Sequence, residues 1–173
     1  MKILRVIRRT DNLYVREIAE KAKVSPATVH NAIKLFKRLG IVVERRVKNR
    51  KTITLNRNSV LLKRINSLLN IYEISKLGEF KKLRKYGKVG IYGSFASGED
   101  FPDSDVDLWI FSDKKLDSVE LKEVTRRLER HLGKEVKLLI LSPKKLKSLK
   151  NKDPEFYLRL MLTSIAFDGD VFD

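Results

Sequence analysis

Between Val89 and Phe111 the chain reads as a strand, a turn at Gly93-Ser94, a short spacer and a returning strand that opens on Asp105-Val106-Asp107. No other stretch constrains the fold as tightly. The alternating apolar pattern on both sides of the turn calls for two strands. Residues two apart on a strand share a face, so the carboxylates of Asp105 and Asp107 project together. Two acids placed in this way repel each other unless a cation or a lysine lies beside them. A hard divalent cation shared with triphosphate oxygens meets that need. At the turn, Gly93 allows a phosphate to approach the backbone, Ser94 adds a hydroxyl donor, and the amides of a following short helix favour an anion. Gly93 and Ser94 are thus candidate nucleotide-binding residues, and Asp105 and Asp107 candidate catalytic and metal-binding residues, for metal-assisted nucleotidyl transfer.

The same residues resemble the nucleotidyltransferase superfamily related to DNA polymerase beta, and most closely its minimal branch. The family pattern of Gly-Ser, spacer and Asp-X-Asp is matched by Gly93, Ser94, Asp105 and Asp107. Ser104, Leu108, Ala96, Gly98 and Pro102 supply the usual surroundings. The resemblance covers about residues 85–170. It implies a mixed sheet flanked by helices, with Mg2+ and ATP as cofactors. Downstream periodicity predicts a helix over 117–132, a strand over 135–141 and a terminal helix from near Pro154.

Family enzymes place a third carboxylate on the next strand, where it binds metal or accepts the proton of the attacking hydroxyl. The corresponding position in Lys134-Glu135-Val136-Lys137-Leu138 aligns with Lys137, and a charged ammonium does neither. Glu135 has the same strand parity and supplies the carboxylate if the alignment slips by two. Otherwise Lys137 pairs with Asp105 or Asp107 and partly replaces the metal. Ser97 stands where many relatives carry a basic residue. Trp109 and Tyr92 read as packing residues, and His131 as a partner of a helix C-terminus.

The first half of the chain carries a different signal. Apolar residues at helical spacing predict three short helices, through Ile3, Val6 and Ile7, then Val15, Ile18 and Ala19, then Val29, Ile33 and Phe36. Ser25-Pro26 starts the third helix as cap and first-turn proline, and Gly40 ends it. The exposed face of that helix carries Thr28, Asn31, Lys34 and Arg38. Residues 41–47 and 51–55 then alternate as a hairpin around Lys48-Asn49-Arg50. Three helices and a hairpin, over residues 17–55, resemble the winged-helix regulators of bacteria and archaea. In that arrangement Arg45, Arg46, Lys48, Arg50 and Lys51 of the wing suit phosphate contacts, while Thr28, Asn31 and Lys34 reach base edges. Winged helices also serve as protein-binding modules, so double-stranded DNA is the expected partner rather than the sole one the pattern permits. His30 reads as a helix-surface residue.

Charge separates the halves. Of the formal net charge of +16, about +14 falls in the first 70 residues and about +2 in the remainder. A high lysine and glutamate content is common in heat-adapted proteins, but that accounts for high charge and not for one-sided charge. A polyanionic partner accounts for both. With no cysteine, disulfides, thiolate metal sites and thiol nucleophiles are excluded. No apolar run approaches membrane-spanning length, the opening residues lack the pattern of a signal peptide, and a cytoplasmic protein is expected.

The expected class is α+β: an N-terminal winged helix-turn-helix at 1–57, a long connecting helix at 58–85, and a nucleotidyltransferase-like mixed sheet flanked by helices at 86–173. The connecting helix offers a surface for a homodimer. Two functions fit. One is a DNA-binding transcriptional regulator whose second domain binds a Mg-nucleotide; the family resemblance implies an antitoxin with a helical toxin partner. The other is an active metal-dependent enzyme that transfers a nucleoside monophosphate to a protein or nucleic-acid hydroxyl. The third carboxylate separates them.

Overall fold

The computed structural model describes residues 2–10, 12–47, 50–114, 116–169 and 171–172, and of Val47 the backbone alone. The chain divides into two compact units, Met1–Arg64 and Ile65–Asp173.

In the first unit α1 (Lys2–Arg9), α2 (Val15–Ala22) and α3 (Pro26–Arg38) pack around Ile7, Ile18, Val29 and Ile33, all buried. Their ends follow from local chemistry. The Tyr14 amide donates to the Glu17 carboxylate at 2.7 Å, which starts α2. Ser25 accepts from the Thr28 amide at 3.1 Å, with Pro26 in the first turn of α3. Strands β1 (Val42–Val47) and β2 (Arg50–Leu55) form the antiparallel hairpin, in register Val42 to Leu55. Leu13 adds a one-residue bridge to β2, exchanging backbone hydrogen bonds with Ile53 at 3.1 and 2.8 Å. That bridge closes the small sheet against the helices and buries Leu13 and Ile53.

The continuous helix expected over 58–85 is instead two helices, α4 (Val60–Ser75) and α5 (Gly78–Leu83), with Leu77 extended between them. The reason lies in the core. On one straight helix, residues nine apart lie about 180° apart around the axis. Ile74 and Leu83 would then face opposite ways, yet both are fully buried in the same cluster with Phe80. Breaking the helix brings all three onto it. The division at residues 64 and 65 falls within α4.

The second unit is a four-stranded sheet in the order β5-β4-β3-β6, with β3 (Lys88–Tyr92), β4 (Val106–Phe111), β5 (Val136–Leu141) and β6 (Ile165–Ala166). Strands β3 and β4 run antiparallel, as do β3 and β6, while β4 and β5 run parallel. A parallel pair requires a crossover, supplied by α7 (Ser118–Leu132), which Asp117 caps and Gly133 terminates. The short helix α6 (Gly93–Ser97) follows β3, and α8 (Pro143–Lys152) and α9 (Pro154–Thr163) follow β5.

Each face of the sheet is covered. Val89, Ile91, Leu108, Ile110 and Val136 meet Phe80 and Leu83 of α5 and Leu121, Val124 and Leu128 of α7. Trp109 and Leu141 meet Tyr157 and Leu160 of α9, together with Phe172. Trp109 takes the space above Gly90, where any β-carbon would overlap its indole ring. Helix α8 and strand β6 were not expected. The five lysines of α8 obscure its apolar spacing, and two-residue β6 is too short to leave a periodic signal. No helix among the described residues is long and apolar enough to cross a membrane.

Candidate functional site

Strand pairing places three side-chain positions in one row across the sheet. Tyr92 on β3 pairs with Asp107 on β4, which pairs with Lys137 on β5. Asp105 lies just before β4, two residues from Asp107, and its approach is held by the Val106 amide donating to the Glu135 carbonyl at 2.8 Å. Lys137 therefore stands opposite Asp107, in the position that the sequence alignment assigns to the third carboxylate. Its ammonium donates to the Asp105 carboxylate in an ion pair. Among the described residues no three His, Cys, Asp or Glu side chains gather where one metal ion could bind, so Glu135 does not complete a carboxylate triad.

Electrostatics mark Asp107 as the group under load. Partial burial pushes its carboxyl above the ordinary carboxylate range; Lys137 opposes that shift and Asp105 adds to it. Burial beside Asp107 also raises the Tyr92 phenol. The Lys137 ammonium is held more firmly than usual, first by its hydrogen bond to Asp105. Gly93 turns out of β3 with a φ of +66°, and a β-carbon there would lie 2.5 Å from Asp107 Oδ2. The absence of a side chain at Gly93 keeps space beside the carboxylate.

These donors are all oxygen, which suits a hard cation whose remaining ligands are phosphate oxygens. Lys137 already holds one oxygen of Asp105 and so competes with any cation for that carboxylate. Ser94 lies in α6, immediately after Gly93.

The residues expected to meet DNA lie in the first unit. Thr28, Asn31, Lys34 and Arg38 are exposed on α3, though the Thr28 hydroxyl also pairs with that of Ser25 at 2.8 Å. Arg45 and Arg46 are exposed on β1, and Arg50 and Lys51 on β2. Arg46 is directly opposite Lys51 in the ladder, a like-charge pair that destabilises the hairpin unless a polyanion lies over it. The Arg50 guanidinium also sits 5.9 Å from the centre of the Tyr14 ring. Lys48 lies outside the described residues.

Sequence reasoning missed the polar groups behind the Gly93 to Asp105 segment: Asn66 and Asn70 on α4, Asp100, and Lys134. A signal was present. Asn66 and Asn70 are four apart in α4, and so lie on one face of the helix.

Comparison with known proteins agrees with this division. A polymerase beta nucleotidyltransferase family matches residues 73–152, and a winged helix-turn-helix DNA-binding family matches residues 1–43. No curated protein matches the chain. Among solved structures, one similar chain belongs to a toxin-antitoxin crystallised with AMP-PNP, at 20% identity and a TM-score of 0.40, covering 54% of this chain and 75% of that one. Another comes from a tri-AMPylated Shewanella oneidensis HEPN toxin in complex with MNT antitoxin. It is 18% identical with a TM-score of 0.40, covering 60% of this chain and 73% of that one. Residues 73–152 are thus a nucleotidyltransferase domain of the polymerase beta family, joined in one chain to an N-terminal winged helix-turn-helix domain.

Proposed function

We propose that the protein is a DNA-binding transcriptional regulator whose nucleotidyltransferase domain binds a nucleoside triphosphate, ATP by family resemblance, without transferring it. The observation that carries this reading is Lys137, in register with Asp107 and ion-paired to Asp105. General-base removal of the acceptor proton needs an unprotonated group. Here the third position of the site carries a lysine that its hydrogen bond to the Asp105 carboxylate keeps in the protonated, ammonium form. Gly93 and Ser94 would receive the phosphates, and Asp105 and Asp107 would hold one Mg2+. When bound, that ion would neutralise phosphate charge. The exposed cations of α3 and the wing would hold DNA, with Thr28, Asn31 and Lys34 at the bases.

Family resemblance extends the proposal to an antitoxin-like role beside a helical toxin partner; a homodimer would suit the two-fold DNA sites that winged helices read, and DNA binding would place the protein in the cytoplasm.

Calorimetric titration of Mg-ATP, with pyrophosphate release followed in parallel in the presence of DNA and candidate protein acceptors, tests the reading. Binding by the wild type that disappears in Asp105→Asn/Asp107→Asn, with no pyrophosphate released, supports it. Pyrophosphate release that the double variant abolishes overturns it in favour of a working transferase.

A further inference from the structure

A buried primary amide costs free energy unless its hydrogen bonds are made. Helix α4 nonetheless turns two asparagines inward: Asn70 is 1% exposed and Asn66 6%. Both amides donate to the segment that links the Gly93-Ser94 turn to Asp105. Asn70 Nδ2 donates to the Phe95 carbonyl at 2.9 Å and to Asp100 Oδ1 at 2.8 Å. Asn66 Nδ2 donates to the Gly98 carbonyl at 3.1 Å. From another side, Lys134 donates to the carbonyls of Phe101 and Ser104, the latter at 3.1 Å, and lies 3.6 Å from Asp100 Oδ2. The two oxygens of Asp100 thus face different partners, Asn70 on α4 and Lys134 just before β5. Carbonyls at 95, 98, 101 and 104 are pinned in succession, across a segment whose ends are the candidate phosphate turn and the first candidate metal ligand.

We infer that Asn70, Asp100 and Lys134 form a clamp that fixes the separation of the Gly93-Ser94 turn from Asp105, and so act as positioning residues for nucleotide binding. The inference rests on the nucleotide-binding reading above. A leucine at position 70 would satisfy the core without polar cost. The amide instead reaches loop groups that a leucine cannot hold.

The test is Mg-ATP titration of the full chain, with melting temperature recorded for each variant. Asn70→Asp removes the amide donor and sets a carboxylate against Asp100. Lys134→Met removes the second set of donors from a more exposed position, and decides the matter should Asn70→Asp not fold. The clamp predicts that each variant weakens binding about tenfold or more while remaining folded at the titration temperature. It also predicts that Asn70→Asp/Asp100→Asn, which restores the hydrogen bond between positions 70 and 100 though not the one to the Phe95 carbonyl, recovers part of the loss. Wild-type affinity in both single variants overturns the clamp alone. So does a loss that tracks melting temperature without recovery in the exchanged pair. Failure of the wild type to bind Mg-ATP overturns the nucleotide-binding reading itself, and the clamp with it.

Discussion

Gly93 and Asp107 are mutually fitted: the glycine turns out of β3 at a φ of +66°, and a β-carbon added to it would stand 2.5 Å from Asp107 Oδ2. Gly93→Ala therefore meets two penalties, a left-handed backbone and displacement of the carboxylate. The backbone alone costs about 1–2 kcal/mol. Displacement acts on binding and not only on stability. The expected result is a folded protein with a lowered melting temperature and no measurable Mg-ATP binding. Retention of wild-type affinity would show that the turn and the carboxylate do not share a ligand.

Lys137→Met should leave stability within about 1 kcal/mol of wild type, because the Lys137 and Asp105 side chains are 56% and 33% exposed and solvent screens such pairs. Its larger effect should fall on cation binding. Freed of the ammonium, both oxygens of Asp105 become available beside Asp107. Titration with Mn2+, followed by the loss of the free-ion paramagnetic resonance signal, should show tighter binding in the variant. Equal affinity in the two proteins would mean that the ion pair does not compete with a cation.

Both domain types and the Asp105-X-Asp107 pair were readable from local spacing, whereas the relationship of Lys137 to that pair was readable only through the family resemblance. Strand parity placed the two aspartates, and the alignment of β5 placed Lys137 opposite Asp107, as the register has it. The break between α4 and α5 was not readable. Apolar residues 68–83 keep an approximately helical rhythm, and only packing of Ile74, Phe80 and Leu83 into one core requires the turn at Leu77. The clamp was hidden for a related reason. Asn70 and Asp100 are distant in sequence, and no periodicity reports a pair formed by tertiary packing.

The wing should reveal itself through salt. Arg46 and Lys51 stand opposite one another with Arg45 and Arg50 nearby, all exposed. Changing these four to alanine should weaken binding to double-stranded DNA. The slope of log affinity against log salt should become shallower by about 3, as fewer counterions are released. Asn31→Ala should instead reduce discrimination between DNA sequences and leave that slope unchanged. Fluorescence anisotropy over a salt series separates the two effects. A slope unaltered in the fourfold variant would remove the wing from the interface.

The contact between α3 and the wing strand should depend on pH. Lys37 in the last turn of α3 donates to the Glu44 carboxylate on β1 at 2.7 Å, and this hydrogen bond holds the Glu44 carboxyl below its ordinary value of 4.5. A carboxyl with a depressed folded-state pKa stabilises the fold fully above its unfolded value. That contribution is lost as pH falls through the lower, folded value. Both side chains are partly exposed, so the effect belongs in the surface range of about 0.2–1 kcal/mol. Wild type should accordingly unfold at a higher denaturant concentration than Glu44→Gln at pH 7, and the gap should close as pH is lowered below about 4.5. High salt at pH 7 should narrow it as well, since screening weakens an exposed pair. A gap that persisted at acid pH would mean that Glu44 contributes through packing against α3 and not through its charge.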